Sequence, residues 1–164
     1  MSAYFHLRAV PPAALRNSAS WLRRLFDDDW NTVRDRIDRH REEMLDARYH
    51  DHQLLYADAP PEHTDAGPGA QVVLGGQRVY TTDTGQPPFL LLTAAQTARV
   101  AAFLSAADFD ALWRPARGSL LAHYGGPAHE PRAKAAFASA HRDLTAFYTT
   151  TAQYGDAVVK WLVR

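Results

Sequence analysis

His50-Asp51-His52 is the cluster in this sequence with metal-like spacing. On an extended segment residues i and i+2 point the same way, so His50 and His52 would present two imidazoles to one ion. His40 and Glu43 stand upstream and would supply a third ligand if the chain between them folded back. Two ligands do not make a site, however, and histidines at such positions more often hydrogen-bond solvent or backbone. A second polar group gathers at His123-Tyr124 before Gly125-Gly126, with His129-Glu130 just beyond and His141 and Asp143 further on. Imidazole titrates near neutral pH, so these residues allow a His–carboxylate acid/base pair. No serine stands in a nucleophile-elbow context, and no triad can be assembled. His50, His52, His123 and Tyr124 are the candidate ligand-binding residues, and His50 with His52 the candidate metal pair. If tyrosines gather with His50, His52 and His123 on one concave face, that face is the expected ligand or partner site.

Other chemistries fall away. Gly75-Gly76 and Gly125-Gly126-Pro127 lack the GxxxxGK[ST] or GxGxxG spacing of phosphate loops and read as tight turns. The 164-residue chain has no cysteine, which excludes disulfides, thiolate zinc sites, iron–sulfur ligation and a cysteine nucleophile. Eighteen lysines and arginines balance 18 aspartates and glutamates, leaving no overall field to attract nucleic acid or acidic membranes. The most apolar stretch, 89–107, is interrupted by Thr93, Gln96, Thr97 and Arg99, the wrong pattern for a membrane span. The opening residues carry no secretory leader, so the expected location is cytoplasmic.

The elements that must position these residues follow from periodicity. Residues 3–10 alternate, Tyr4, His6 and Arg8 against Phe5, Leu7 and Ala9, which predicts a half-buried strand. Pro11-Pro12 stops it and pre-sets a helix through Leu15, Trp21, Leu22, Leu25 and Phe26. Asp27, Asp28 and Asp29 then cap an amphipathic helix over 30–47, with Trp30, Val33, Ile37, His40 and Met44 as its apolar stripe. The run ADAPPEHTDAGPG over 57–69 is rich in turn formers and reads as an exposed loop within one domain. A hairpin is expected from 71–74 and 79–81 around Gly75-Gly76. Thr93-Ala-Ala-Gln96 is a capping box opening a helix to about Ser105. Ser105-Ala-Ala-Asp108 is a second, opening a short helix that ends before Pro115, with another helical turn or two over 118–124. A long helix is expected over 132–154, closed by Gly155, and DAVVKWLVR supplies a terminal strand.

Four of these segments in order, Tyr4-Phe5-His6-Leu7, Val72-Val73-Leu74-Gly75-Gly76, the helix from Leu92-Thr93 to Leu112, and Ala146-Phe147-Tyr148 followed by Gly155-Asp156-Ala157-Val158, resemble the YfbM-like family of bacterial proteins of unknown function. The weight rests on their order over almost the whole chain, since no single motif is specific. The resemblance implies a single α+β domain and no established activity or catalytic position. The chain departs from the family's pattern at 49–55, where relatives have a tryptophan and then a His-containing Leu-rich segment. It departs again after Tyr124, where relatives have proline and this chain has Gly125.

The expected fold is thus one helix-rich α+β domain over 1–164, with a small, mostly antiparallel sheet that includes the N- and C-terminal strands. The expected function is a non-enzymatic binding module for a protein or small ligand, without cofactor and without nucleic-acid or membrane partners. The alternative is a small histidine-based metal-dependent or hydrolytic enzyme built from 50–52 and 123–141. Self-association through the 30–47 stripe is a third reading, outweighed by packing of that stripe in the core.

Overall fold

The computed structural model describes residues 3–27, 30–57 and 67–164. Residues 58–66 of the expected loop with His63, the capping acids Asp28 and Asp29, and the Trp30 side chain lie outside the described residues. The strands are β1 (Tyr4–Val10), β2 (Glu42–Leu45), β3 (Gln77–Val79), β4 (Phe89–Leu92) and β5 (Ala157–Val163). They form one sheet in the order β2-β1-β5-β4-β3, with every neighbouring pair antiparallel. The two terminal strands therefore pair with each other near the middle of the sheet, Tyr4 opposite Val163 and Val10 opposite Ala157. Helices and strands interleave without a regular βαβ repeat, and the sheet is antiparallel throughout, which makes this an α+β domain.

Each face of this sheet carries a hydrophobic core. Phe5, Leu7, Ala9, Leu90, Leu92 and Val158 face a large core built with α3 (Tyr49–Tyr56), α5 (Ala94–Ala106), α6 (Phe109–His123) and α7 (Glu130–Gln153). Val10, Phe89, Leu91, Val159 and Trp161 face a smaller core with α1 (Ala19–Arg24) and α2 (Trp30–Ile37). The half-buried strand expected at 3–10 is therefore covered on both sides. Its Arg8 is buried over the Phe26 ring and pairs with Glu42 of the neighbouring strand. Among the described residues no helix is long and apolar enough to cross a membrane.

Several expected boundaries are corrected. The helix expected through Leu15 to Phe26 is split: Pro12–Arg16 is a 3-10 turn, and Ser18 opens α1 by accepting a bond from the Trp21 N–H. The helix expected over 30–47 ends at Ile37, because Asp38 takes a left-handed φ of 55° and the chain re-emerges as edge strand β2. Val33 and Ile37 pack into the smaller core, whereas Met44 is exposed on β2, so no continuous stripe is left to pair with a copy. The second capping box gives way to Asp108, which caps α6 itself. That helix runs on through Pro115, since Trp113 on one side and Leu120 and Leu121 on the other are both anchored in the core. The Thr93–Gln96 box is present in full, and α7 covers the long helix expected over 132–154.

The expected strand at 71–74 is instead the end of a short helix, α4 (Pro68–Gln71), so the hairpin partner of β3 is β4. Backbone carbonyls left over at a buried helix end need donors. Three consecutive ones find buried side chains: Gln53 Nε2 donates to Ala70 O at 3.3 Å, Lys160 Nζ to Gln71 O at 2.7 Å, and the Tyr148 hydroxyl to Val72 O at 2.6 Å. Gln53 Oε1 in turn accepts the Leu74 N–H at 2.9 Å. This junction of α4 with α3, α7 and β5 holds Leu74, which lines the candidate site.

Candidate functional site

The helices of the large core do not cover the whole sheet. Phe5 at the start of β1 and Leu162 near the end of β5 are opposite one another in register, and with Leu90 of β4 they form an apolar floor. Tyr49 and His50 from the first turn of α3 close one side, Arg78 and Tyr80 from and just beyond β3 the other, with Pro87 and Pro88 at the end. The cleft encloses about 360 Å³, within the roughly 300–1,000 Å³ range of small-molecule sites. Its walls are held by specific contacts. The Tyr49 ring stacks on Phe5 at 5.5 Å and 17°, the His50 ring lies 4.3 Å from that of Tyr49, and the Trp161 indole N–H donates to Pro87 O at 2.9 Å. Tyr80 is 66% exposed, so one aromatic flank is free to meet a ligand.

The candidate residues divide between this cleft and two other places. His50 lines the cleft. His52 does not, because 49–56 is helical rather than extended, and on a helix residues i and i+2 point roughly 200° apart. The two imidazoles are therefore not presented to a common ion, and the extended-segment argument for the metal pair fails on this geometry. His52 is buried, 4% exposed, with its ring 4.6 Å from that of Phe137. Burial holds its pKa down at about 4, so it is neutral at pH 7. His40 pairs with Asp35 at 3.7 Å and Glu43 accepts from the Met44 N–H, so neither upstream residue joins His50 or His52.

His123 and Tyr124, at the C-terminal end of α6, do meet the 50–52 segment, but through the carboxylate between the two histidines. Asp51 Oδ1 lies 3.0 Å from His123 Nδ1, and Asp51 Oδ2 accepts from the Tyr124 hydroxyl at 2.5 Å. Burial, and then this bond to Asp51, push the Tyr124 phenol up from its ordinary value. The Arg48 guanidinium covers the Tyr124 ring at 5.5 Å. Asp51 is the functional candidate that sequence reasoning passed over, and no periodic signal links positions 72 residues apart. The other expected His–carboxylate pair is not formed: His141 is hydrogen-bonded to the Tyr56 hydroxyl at 2.8 Å. Glu130 is taken by Arg117 at 2.6 and 2.7 Å and by the Trp113 indole at 3.1 Å, and these bonds draw its carboxyl down to about 2.

Burial of neutral imidazole has a measurable consequence. His52 and His6 both titrate near 4 in the fold, each chiefly through burial, against an ordinary 6.5. Between those values the unfolded chain binds protons that the folded chain does not, so stability falls as pH falls from 6.5 toward 4. The buried His52 alone should contribute about 3 kcal/mol of that loss. Urea unfolding at pH 7 and pH 4.5 measures it, and His52→Phe should flatten the decline.

The family model described as a domain of unknown function, DUF1877, matches residues 1–161. The crystal structure of a protein of unknown function, YfbM from Escherichia coli, superposes with a TM-score of 0.58 at 15% sequence identity, over 99% of this chain and 100% of that one. At that identity the likeness is one of fold. No curated protein sequence matches the chain.

Proposed function

Because the chain belongs to the DUF1877 family, whose function is unknown, its activity has to be read from its own surface; we propose that it is a non-enzymatic binding module that holds a small molecule in the cleft between α3 and the open end of the sheet. The observation that carries this reading is the preformed, apolar-floored cleft of about 360 Å³ with an exposed tyrosine on one flank. Concave sites with an apolar lining and a few convergent polar groups are where small ligands bind. The His50 imidazole, the Arg78 guanidinium and the Tyr49 and Tyr80 hydroxyls are the side-chain polar groups here.

Chemical-shift mapping with a fragment library is the direct test. Hits should cluster on Tyr49, His50, Arg78 and Tyr80. Tyr80→Ala, which removes an exposed ring, should weaken them by about tenfold while changing stability by no more than about 0.5 kcal/mol. Hits that gather on another groove would sink the reading.

One observation favours a hydrolytic alternative. Asp51 supports His123 Nδ1 at 3.0 Å while the His123 side chain stays exposed, an arrangement that suits a general base. Among the described residues no nucleophile is hydrogen-bonded to His123, so water would be the attacking group. Hydrolysis of simple aryl esters that disappears in His123→Ala, with unfolding unchanged, would bring this alternative ahead of the binding module.

A further inference from the structure

The polarity of the cleft narrows what it binds. Among the described residues its lining contains no aspartate or glutamate, and its charged group is the Arg78 guanidinium. Arg78 sits opposite Leu90 in the β3–β4 register, so it rises from the same face as the apolar floor. Among the described residues no carboxylate pairs with it; the same holds for other exposed arginines such as Arg99 and Arg132, and what distinguishes Arg78 is that it lines the cleft. Across the cleft the His50 imidazole adds a second nitrogen donor. The lining also offers flat surfaces, the rings of Tyr49 and Tyr80 and the face of Pro87.

Resting on the small-ligand reading above, we infer that the ligand is an amphipathic anion: a flat aromatic or alicyclic body seated on the apolar floor between Tyr49 and Tyr80, carrying a carboxylate that pairs with Arg78 at the mouth. Guanidinium and carboxylate match as a two-pronged donor and acceptor. Arg78 is exposed at the mouth, so the pairing adds a modest gain, about tenfold, to the apolar seating of the ligand's body rather than a buried ion pair. A cationic ligand would meet Arg78 with no acid in the lining to offset it.

The test uses one body with three end groups: 2-naphthoate, 2-naphthamide and 2-naphthylmethylamine, titrated into the full chain and followed by calorimetry and by the Tyr49 and Tyr80 resonances. The carboxylate should bind about tenfold more tightly than the neutral amide, the worth of one charge-assisted hydrogen bond, and the ammonium should bind least. Arg78→Gln should bring the carboxylate down to the level of the amide and leave the amide unchanged. Equal affinity for acid and amide in the native chain, or a preference for the acid that survives Arg78→Gln, would overturn the anion while leaving the cleft as a binding site. If none of the three moves the Tyr49 and Tyr80 resonances, the cleft reading itself fails and the anion with it.

Discussion

Replacing Gly75 with alanine should destabilise the fold by about 3 kcal/mol, at the upper end of what overpacking costs. A Cβ at this position would stand 2.3 Å from Ala70 O and 2.8 Å from Gln71 Cα, both backbone atoms. Neither can give way cheaply. The carbonyls of Ala70, Gln71 and Val72 are each held by a buried donor, from Gln53, Lys160 and Tyr148, and any shift that admits the methyl group loosens these bonds together. Gly118 is the control. It lies within α6 with nothing inside 4 Å of its would-be Cβ, so Gly118→Ala should stabilise by about 0.5–1 kcal/mol through a less flexible unfolded chain. Paired urea unfolding curves measure both. A Gly75→Ala variant as stable as the native chain would mean that the α4 junction is not rigid. Because that junction carries Leu74 into the cleft wall, the same variant should also disturb the Tyr49 and His50 resonances.

The features legible in the sequence are those decided locally. The Thr93–Gln96 box forms because both partners lie within one turn, and the terminal strands form where apolar residues alternate at 4–10 and where β-branched and aromatic residues run together at 157–163. Sequence reading failed where a distant partner decided between two locally allowed states. Val72-Val73-Leu74 is an apolar, mostly β-branched run that suits a buried strand as well as a buried helix end. Gln53 and Tyr148, far away in the chain, settle it as the latter. Likewise the helical period carries past Ile37 to Met44, but Arg39 donates to the carbonyls of Ile37 and Asp38 and to the buried carboxylate of Asp156, pinning the turn that breaks it. The same limit hid the site. His50 was visible as a polar residue of interest, yet Arg78 and Tyr80 reach it only because β3 pairs with 89–92, a stretch whose apolar run pointed to no particular partner.

Lys160→Met should leave the fold at least as stable at pH 7 as the native chain, and Lys160→Ala should fall about 2–5 kcal/mol below Lys160→Met. Lys160 is wholly buried on β5 between Leu7 and Leu90, facing the large core, and its amine makes one hydrogen bond, to Gln71 O. Burial holds its pKa well below the ordinary 10.5, so folding requires either loss of a proton or an unpaired charge in an apolar interior. Methionine fills nearly the same space without that penalty; its own cost is a carbonyl left without the amine, about 1–3 kcal/mol. The two terms act against each other, and pH separates them. Between the folded-state pKa and 10.5 the unfolded chain carries a proton that the folded chain lacks, so the native chain gains stability as pH rises through that window. Lys160→Met should lose this gain, so that its advantage over the native chain shrinks as pH rises toward 10.5. Chemical unfolding of the three proteins at pH 7, 8.5 and 10 gives the slopes, and an upward slope that persists in Lys160→Met would assign the proton to another group. What remains for the lysine at neutral pH is then its donor, which holds the last turn of α4, and with it Leu74, against the sheet.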